Sequence, residues 1–114
     1  MNYYNNYIIG EFEIKENNKK IRIINSYEQS LRGTIWNIEE YYKNEEEIKE
    51  NIEIIINDKN IPFTYFYKFK EKGNYIIIYK FKKQLTNSSF MFSECSSLKN
   101  LNLSNFNTQN VTSM

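Results

Sequence analysis

The chain has no histidine, no alanine, one cysteine, one proline and three glycines among its 114 residues. Each shortage excludes something. A lone Cys95 forms no intramolecular disulfide, and without an imidazole a zinc or Cys–His site within the chain is excluded. Scattered glycines make no phosphate-cradling loop, and there is no histidine base or recognisable carboxylate frame, so no enzyme constellation is visible and no cofactor is implied. An excess of one charge is missing too. Lys and Arg number 15 against 14 Asp and Glu, which gives no strong nucleic-acid signal from bulk electrostatics. No run is long and apolar enough to span a bilayer. Met1 to Tyr7 lacks the charged end and apolar stretch of a signal peptide. As written, the chain reads as soluble and intracellular.

What is abundant is Ile, Tyr, Asn and Lys. The β-branched and aromatic content favours strands, because such side chains fit a pleated surface. Ile8, Gly10, Phe12 and Ile14 alternate with Ile9, Glu11, Glu13 and Lys15. After Asn17-Asn18 comes Lys20-Ile21-Arg22-Ile23-Ile24. A two-residue Asn-Asn turn predicts a hairpin with Ile14 opposite Ile21, Phe12 opposite Ile23 and Glu13 opposite Arg22. From Thr34 the spacing of Ile35, Ile38 and Tyr42 predicts a helix, with the acidic run Glu45–Glu50 as its solvated surface or frayed end. Ile52–Ile56 is a short, mostly buried strand and Asn57–Asn60 a turn. Pro62 opens a longer strand, where a missing N–H costs least.

From Phe63 to Phe81 the pattern predicts a second hairpin around Glu71-Lys72-Gly73, pairing Lys70 with Asn74. Phe63, Tyr65, Tyr67, Phe69, Tyr75, Ile77, Tyr79 and Phe81 then share one face. Phe66, Lys68, Ile76, Ile78 and Lys80 share the other, a possible interaction patch of apolar residues ringed by lysines. The alternative is that another part of the chain covers it. Strand, strand, helix, strand, strand, strand is the element order of a β-grasp, the ubiquitin-like roll. A plain antiparallel sheet with a helix on one side fits the same order.

The last stretch has a different pattern. Leu98, Leu101 and Leu103 have the spacing of a leucine-rich-repeat strand, and Met91 and Met114 stand 23 positions apart, inside the roughly 20–29-residue period of such repeats. Phe92, Cys95, Phe106 and Val111 supply further inward positions, so Cys95 reads as a buried spacer. Short polar residues such as Ser104, Asn105, Asn107 and Thr108 can bond backbone groups at turns.

The segment Met91-Phe92…Cys95-Ser96-Ser97-Leu98…Leu101-Asn102-Leu103-Ser104-Asn105-Phe106-Asn107-Thr108…Asn110-Val111-Thr112…Met114 resembles one repeat of the BspA-type leucine-rich family. Asn102 stands where Asp is common. The resemblance implies a repeat-built, non-catalytic interaction module, since family members are often surface or secreted proteins and several are adhesins.

The resulting expectation is an α+β chain: a β-grasp-like capping domain over residues 1–84, then a truncated repeat over 85–114. The repeat edge at Leu98, Leu101, Leu103 and Phe106 would meet a protein partner or a second copy, because one coil cannot bury its apolar rim alone. The rival expectation is a ubiquitin-like adaptor using the lysine-ringed sheet face.

Overall fold

A computed structural model describes residues 6–30, 43–83, 85–88 and 90–106. The elements are β1 (Tyr7–Ile14), β2 (Lys19–Arg22), α1 (Tyr27–Ser30), α2 (Glu45–Asn51), β3 (Ile52–Ile56), β4 (Lys59–Ile61), β5 (Phe66–Phe69), β6 (Gly73–Phe81) and β7 (Leu98–Asn102). A five-stranded sheet runs β4-β3-β6-β1-β7, and a two-stranded sheet joins β2 to β5. Every ladder is antiparallel. The described chain is thus a mostly antiparallel sheet protein with few helices, and no solenoid is formed among its described residues.

Alternation in the sequence builds the core. Ile8, Phe12 and Ile14 of β1, Ile52, Ile54 and Ile56 of β3, and Ile77, Tyr79 and Phe81 of β6 all point to one side of the large sheet and are buried. Strand residues two apart share a face, so three alternating strands in register make one continuous apolar surface. Ile21, Tyr67 and Phe69 of the small sheet pack on the same cluster, as does Ile48 of α2. Leu85, Met91, Cys95 and Phe106 join it from the C-terminal coil. Residues on both sides of the expected 84/85 boundary therefore share one core.

The expected hairpins are corrected. The Asn17-Asn18 turn is present, with Asn18 at φ 55, but β1 does not pair with β2. It pairs along its whole length with β6, from Tyr7 opposite Lys80 to Ile14 opposite Gly73. Its 8 residues find a full ladder in β6, which has 9, where β2 has only 4. Ile21 lies opposite Tyr67 rather than Ile14. Lys70 is likewise not paired with Asn74, because β5 lies on β2 while β6 lies between β1 and β3. Gly73 does adopt a positive φ of 145, but it starts β6 instead of closing a β5–β6 hairpin. Phe63 to Tyr65 lie outside the strands, and Lys59 and Asn60 belong to β4. The turn there is only Asn57-Asp58, whose φ values of 50 and 66 suit a two-residue hairpin loop.

The β-grasp reading expects a mixed sheet, and the ladders are antiparallel throughout, so that topology is corrected as well. The helix expected from Thr34 falls mostly outside the described residues. Its acidic continuation forms α2, which buries Ile48 and Asn51.

Gly10 shows why β1 carries one small residue on its inner face. A Cβ there would lie 3.1 Å from Phe12, 3.3 Å from Leu98 and 3.3 Å from Tyr79. Gly10→Val is expected to lower stability by about 1–3 kcal/mol through overpacking, measured as a lower urea midpoint with an unchanged slope.

Candidate functional site

The repeat-like coil is attached to the leader along one edge. β7 pairs with β1, with Asn102 opposite Ile9, Leu101 opposite Gly10 and Asn100 opposite Glu11. The amides of Tyr7 and Glu13 donate to Asn105 O at 3.1 Å and Ser97 O at 3.0 Å. Odd residues of β1 thus turn their backbone toward the coil, and Leu101 turns its own N–H and C=O to the opposite edge, which no described strand pairs. The register slips between Glu11 and Phe12, leaving Lys99 as the extra residue of a bulge. Its Nζ lies 3.6 Å from Glu13.

Polar side chains, most of them buried, hold the coil from several directions. Asn25, fully buried, donates from Nδ2 to Ser93 O at 2.9 Å, and its backbone N donates to Met91 O at 2.6 Å. Asn44 Nδ2 donates to Asn87 O at 3.2 Å. Glu47 accepts from the Thr86 hydroxyl at 2.8 Å and from Asn87 N at 3.2 Å. Asn51 exchanges bonds with Lys83, accepting from its N at 2.7 Å and donating to its O at 3.0 Å. Phe92 packs edge-on against Tyr79, and Phe106 lies 4.9 Å from Phe81 by ring centroid.

The expected rim residues divide. Leu101 and Leu103 are 36% and 40% exposed, and Phe90 is 47% exposed. With Ile8, Met91 and Phe92 they line an open apolar groove of about 330 Å³. Leu98 is half-buried against the core, and Phe106 is buried, not part of an open rim. Phe90 and Phe92 were not expected in the groove. The two ends of the coil meet only in space, and no local period announces that meeting.

The lysine-ringed patch is corrected. Ile76, Ile78 and Lys80 lie on the outer face of the large sheet, with Ile78 opposite both Ile9 and Ile55. Phe66 and Lys68 lie on the outer face of the small sheet, opposite Arg22 and Lys20. The shared core separates the two groups, so they form no single surface. The adaptor reading loses the face it requires.

A polar network joins the helices. Glu28 Oε1 accepts from the backbone N of Asn44 at 2.8 Å and of Glu45 at 3.1 Å, while Asn44 Oδ1 accepts from Tyr27 N at 2.9 Å. Each helix start is capped by a side chain of the other. Glu45 Oε2 also accepts from the Tyr65 hydroxyl at 2.7 Å and from Gln29 at 2.9 Å. Burial raises the Tyr65 hydroxyl pKa, and the Glu45 charge adds to this. These groups are hydrogen-bonded to one another.

Burial pushes the Cys95 thiol up to about 12, so it is a neutral, unreactive filler in a region of the core shared with Tyr79. No helix among the described residues is long and apolar enough to cross a membrane. No group of three or more potential metal-ligating side chains is found among them. No family model, no curated protein and no solved structure matches this chain.

Proposed function

We propose that the chain is a non-catalytic interaction module in which the leader caps the first coil of a BspA-type leucine-rich solenoid. The observation that carries this is one-sided coverage. β1 takes the inner edge of β7 and fills the space behind Leu98, while the outer backbone edge and the Leu101–Leu103–Phe90 groove stay uncovered by any described residue. A solenoid cap has this asymmetry, because it satisfies one side of a coil and leaves the other for the next unit. An isolated globular domain instead blunts its edge strands.

The partner at this edge is a protein segment that supplies a strand and apolar side chains: a further repeat, or a second chain. Appending a duplicate of residues 92–114 after Met114 tests the reading. The duplicate should raise the unfolding free energy by about 1–2 kcal/mol as Leu101 and Leu103 become covered, and slow amide exchange at Leu101. An appended unit that stays unstructured and leaves the midpoint unchanged sinks the proposal.

A further inference from the structure

The outward face of the small sheet gathers cations around an exposed aromatic ring. Lys20 lies directly opposite Lys68, and Arg22 directly opposite Phe66. Lys70 follows on the same side as Phe66 and Lys68, and its carbonyl is held by the Asn18 amide at 3.0 Å. The Arg22 guanidinium stands 4.3 Å from the Phe66 ring centroid and the Lys20 ammonium 5.3 Å from it. Phe66 is nevertheless 39% exposed. The described ion pairs are Lys19–Glu16, Lys49–Glu45 and Lys99–Glu13. None of them involves Lys20, Arg22, Lys68 or Lys70.

Like charges directly opposed across a ladder oppose folding. The arrangement therefore works against the stability of the sheet that carries it, and an anion lying between the two ammonium groups would relieve it. Alternate strand residues stand about 6.7 Å apart, so the cations form two short parallel rows, with the Phe66 ring at the end of the β5 row and Arg22 directly opposite it. Cations that track a backbone beside a ring on which a base can lie are the two parts of a single-strand nucleic-acid platform. An acidic peptide uses the lysines and has no use for the ring.

We propose that this face binds single-stranded nucleic acid, with phosphates on Lys20, Lys68 and Lys70 and a base against Phe66 and the Arg22 guanidinium. The near-zero net charge of the whole chain conceals the site, because α2 carries a compensating run of Glu residues elsewhere. The inference is independent of the solenoid reading, which concerns β7.

The test is fluorescence anisotropy of the full chain with a labelled 12-nucleotide oligo-dT and a labelled oligo-glutamate of equal length. Oligo-dT should bind with a dissociation constant of about 10⁻⁴ to 10⁻⁶ M, weakening with salt with a log–log slope of about −2 for three neutralised phosphates. Lys68→Glu should cut binding at least tenfold while leaving stability equal or higher, because it turns a repulsive cross-strand pair into an attractive one. Phe66→Ala should cut binding about tenfold. Absence of binding at 50 mM salt overturns the proposal. Equal affinity for oligo-glutamate with no effect of Phe66→Ala also overturns it and assigns the face to an acidic peptide. Lys20→Glu repeats the charge test at the opposed position and should match Lys68→Glu.

Discussion

A chain ending at Gln84 is expected not to fold. The C-terminal coil might be read as an appendage, because its pattern differs from everything before it. The packing says otherwise. Leu85, Met91, Cys95 and Phe106 lie inside the same core as Ile8, Tyr79 and Phe81. Removing four buried apolar side chains forfeits about 1.5–3 kcal/mol each, against a typical net stability of about 5–15 kcal/mol. The loss goes further. Asn25, Asn44 and Asn51 place side-chain amides against carbonyls of Ser93, Asn87 and Lys83. Truncation strips Asn25 and Asn44 of those partners, and leaving the fully buried Asn25 amide without its acceptor adds a desolvation penalty of about 1–3 kcal/mol. β1 also loses the strand on its outer side. Residues 1–84 should show no cooperative thermal transition by circular dichroism and collapsed amide dispersion by NMR. A sharp transition within a few degrees of the full chain would show the coil to be dispensable.

How much of this was legible beforehand divides along a physical line. Which side of a strand is buried is a local property with a period of two, and it was read correctly for Ile8–Ile14 and Tyr75–Phe81. Which strand lies beside which is not local. Any partner of the right parity sorts the faces equally well, so the Phe63–Phe81 face assignment held for β6 while its hairpin did not exist. The same failure created the lysine-ringed patch: Phe66 and Ile76 share a parity, but they sit in different sheets. The leucine spacing marked β7 as a strand and Leu101 and Leu103 as exposed apolar residues. It read Phe106 both as an inward position and as part of the open rim, and it did not reveal that packing on Phe81 takes Phe106 off that rim, since that depends on the reach of a coil around its own edge. The mutual capping of α1 and α2 through Glu28 and Asn44 was invisible for a similar reason, as the two residues stand 16 apart in the chain.

Alkali should unfold this protein, and the sign follows from groups buried in their neutral form. Burial pushes the Cys95 thiol from 9.0 to about 12, with the nearby Glu94 charge adding and Arg22 opposing. Burial also raises the Tyr79 hydroxyl well above its usual 10.0, with the Cys95 charge adding. That hydroxyl donates to Ile23 O at 2.5 Å. Tyr65 is raised in the same direction, chiefly by burial, though its partial exposure screens the effect. In the unfolded chain these groups release their protons from about pH 9 to 10. Above that range the unfolded state binds fewer protons than the folded one, so stability falls as pH rises and continues to fall until the folded-state values are reached. Each fully affected group contributes about 1.4 kcal/mol per pH unit. With no histidine in the chain, no imidazole titration intrudes near neutrality. Urea midpoints should drop steeply between pH 9 and 11.5. Cys95→Ala and Tyr79→Phe should each flatten that slope while lowering stability at pH 8, by creating a small cavity and by orphaning the Ile23 carbonyl respectively. Lysine neutralisation acts equally on all three chains, so the difference in slope isolates the buried groups. Parallel slopes in the parent and both variants would mean that Cys95 and Tyr79 ionise without unfolding the core.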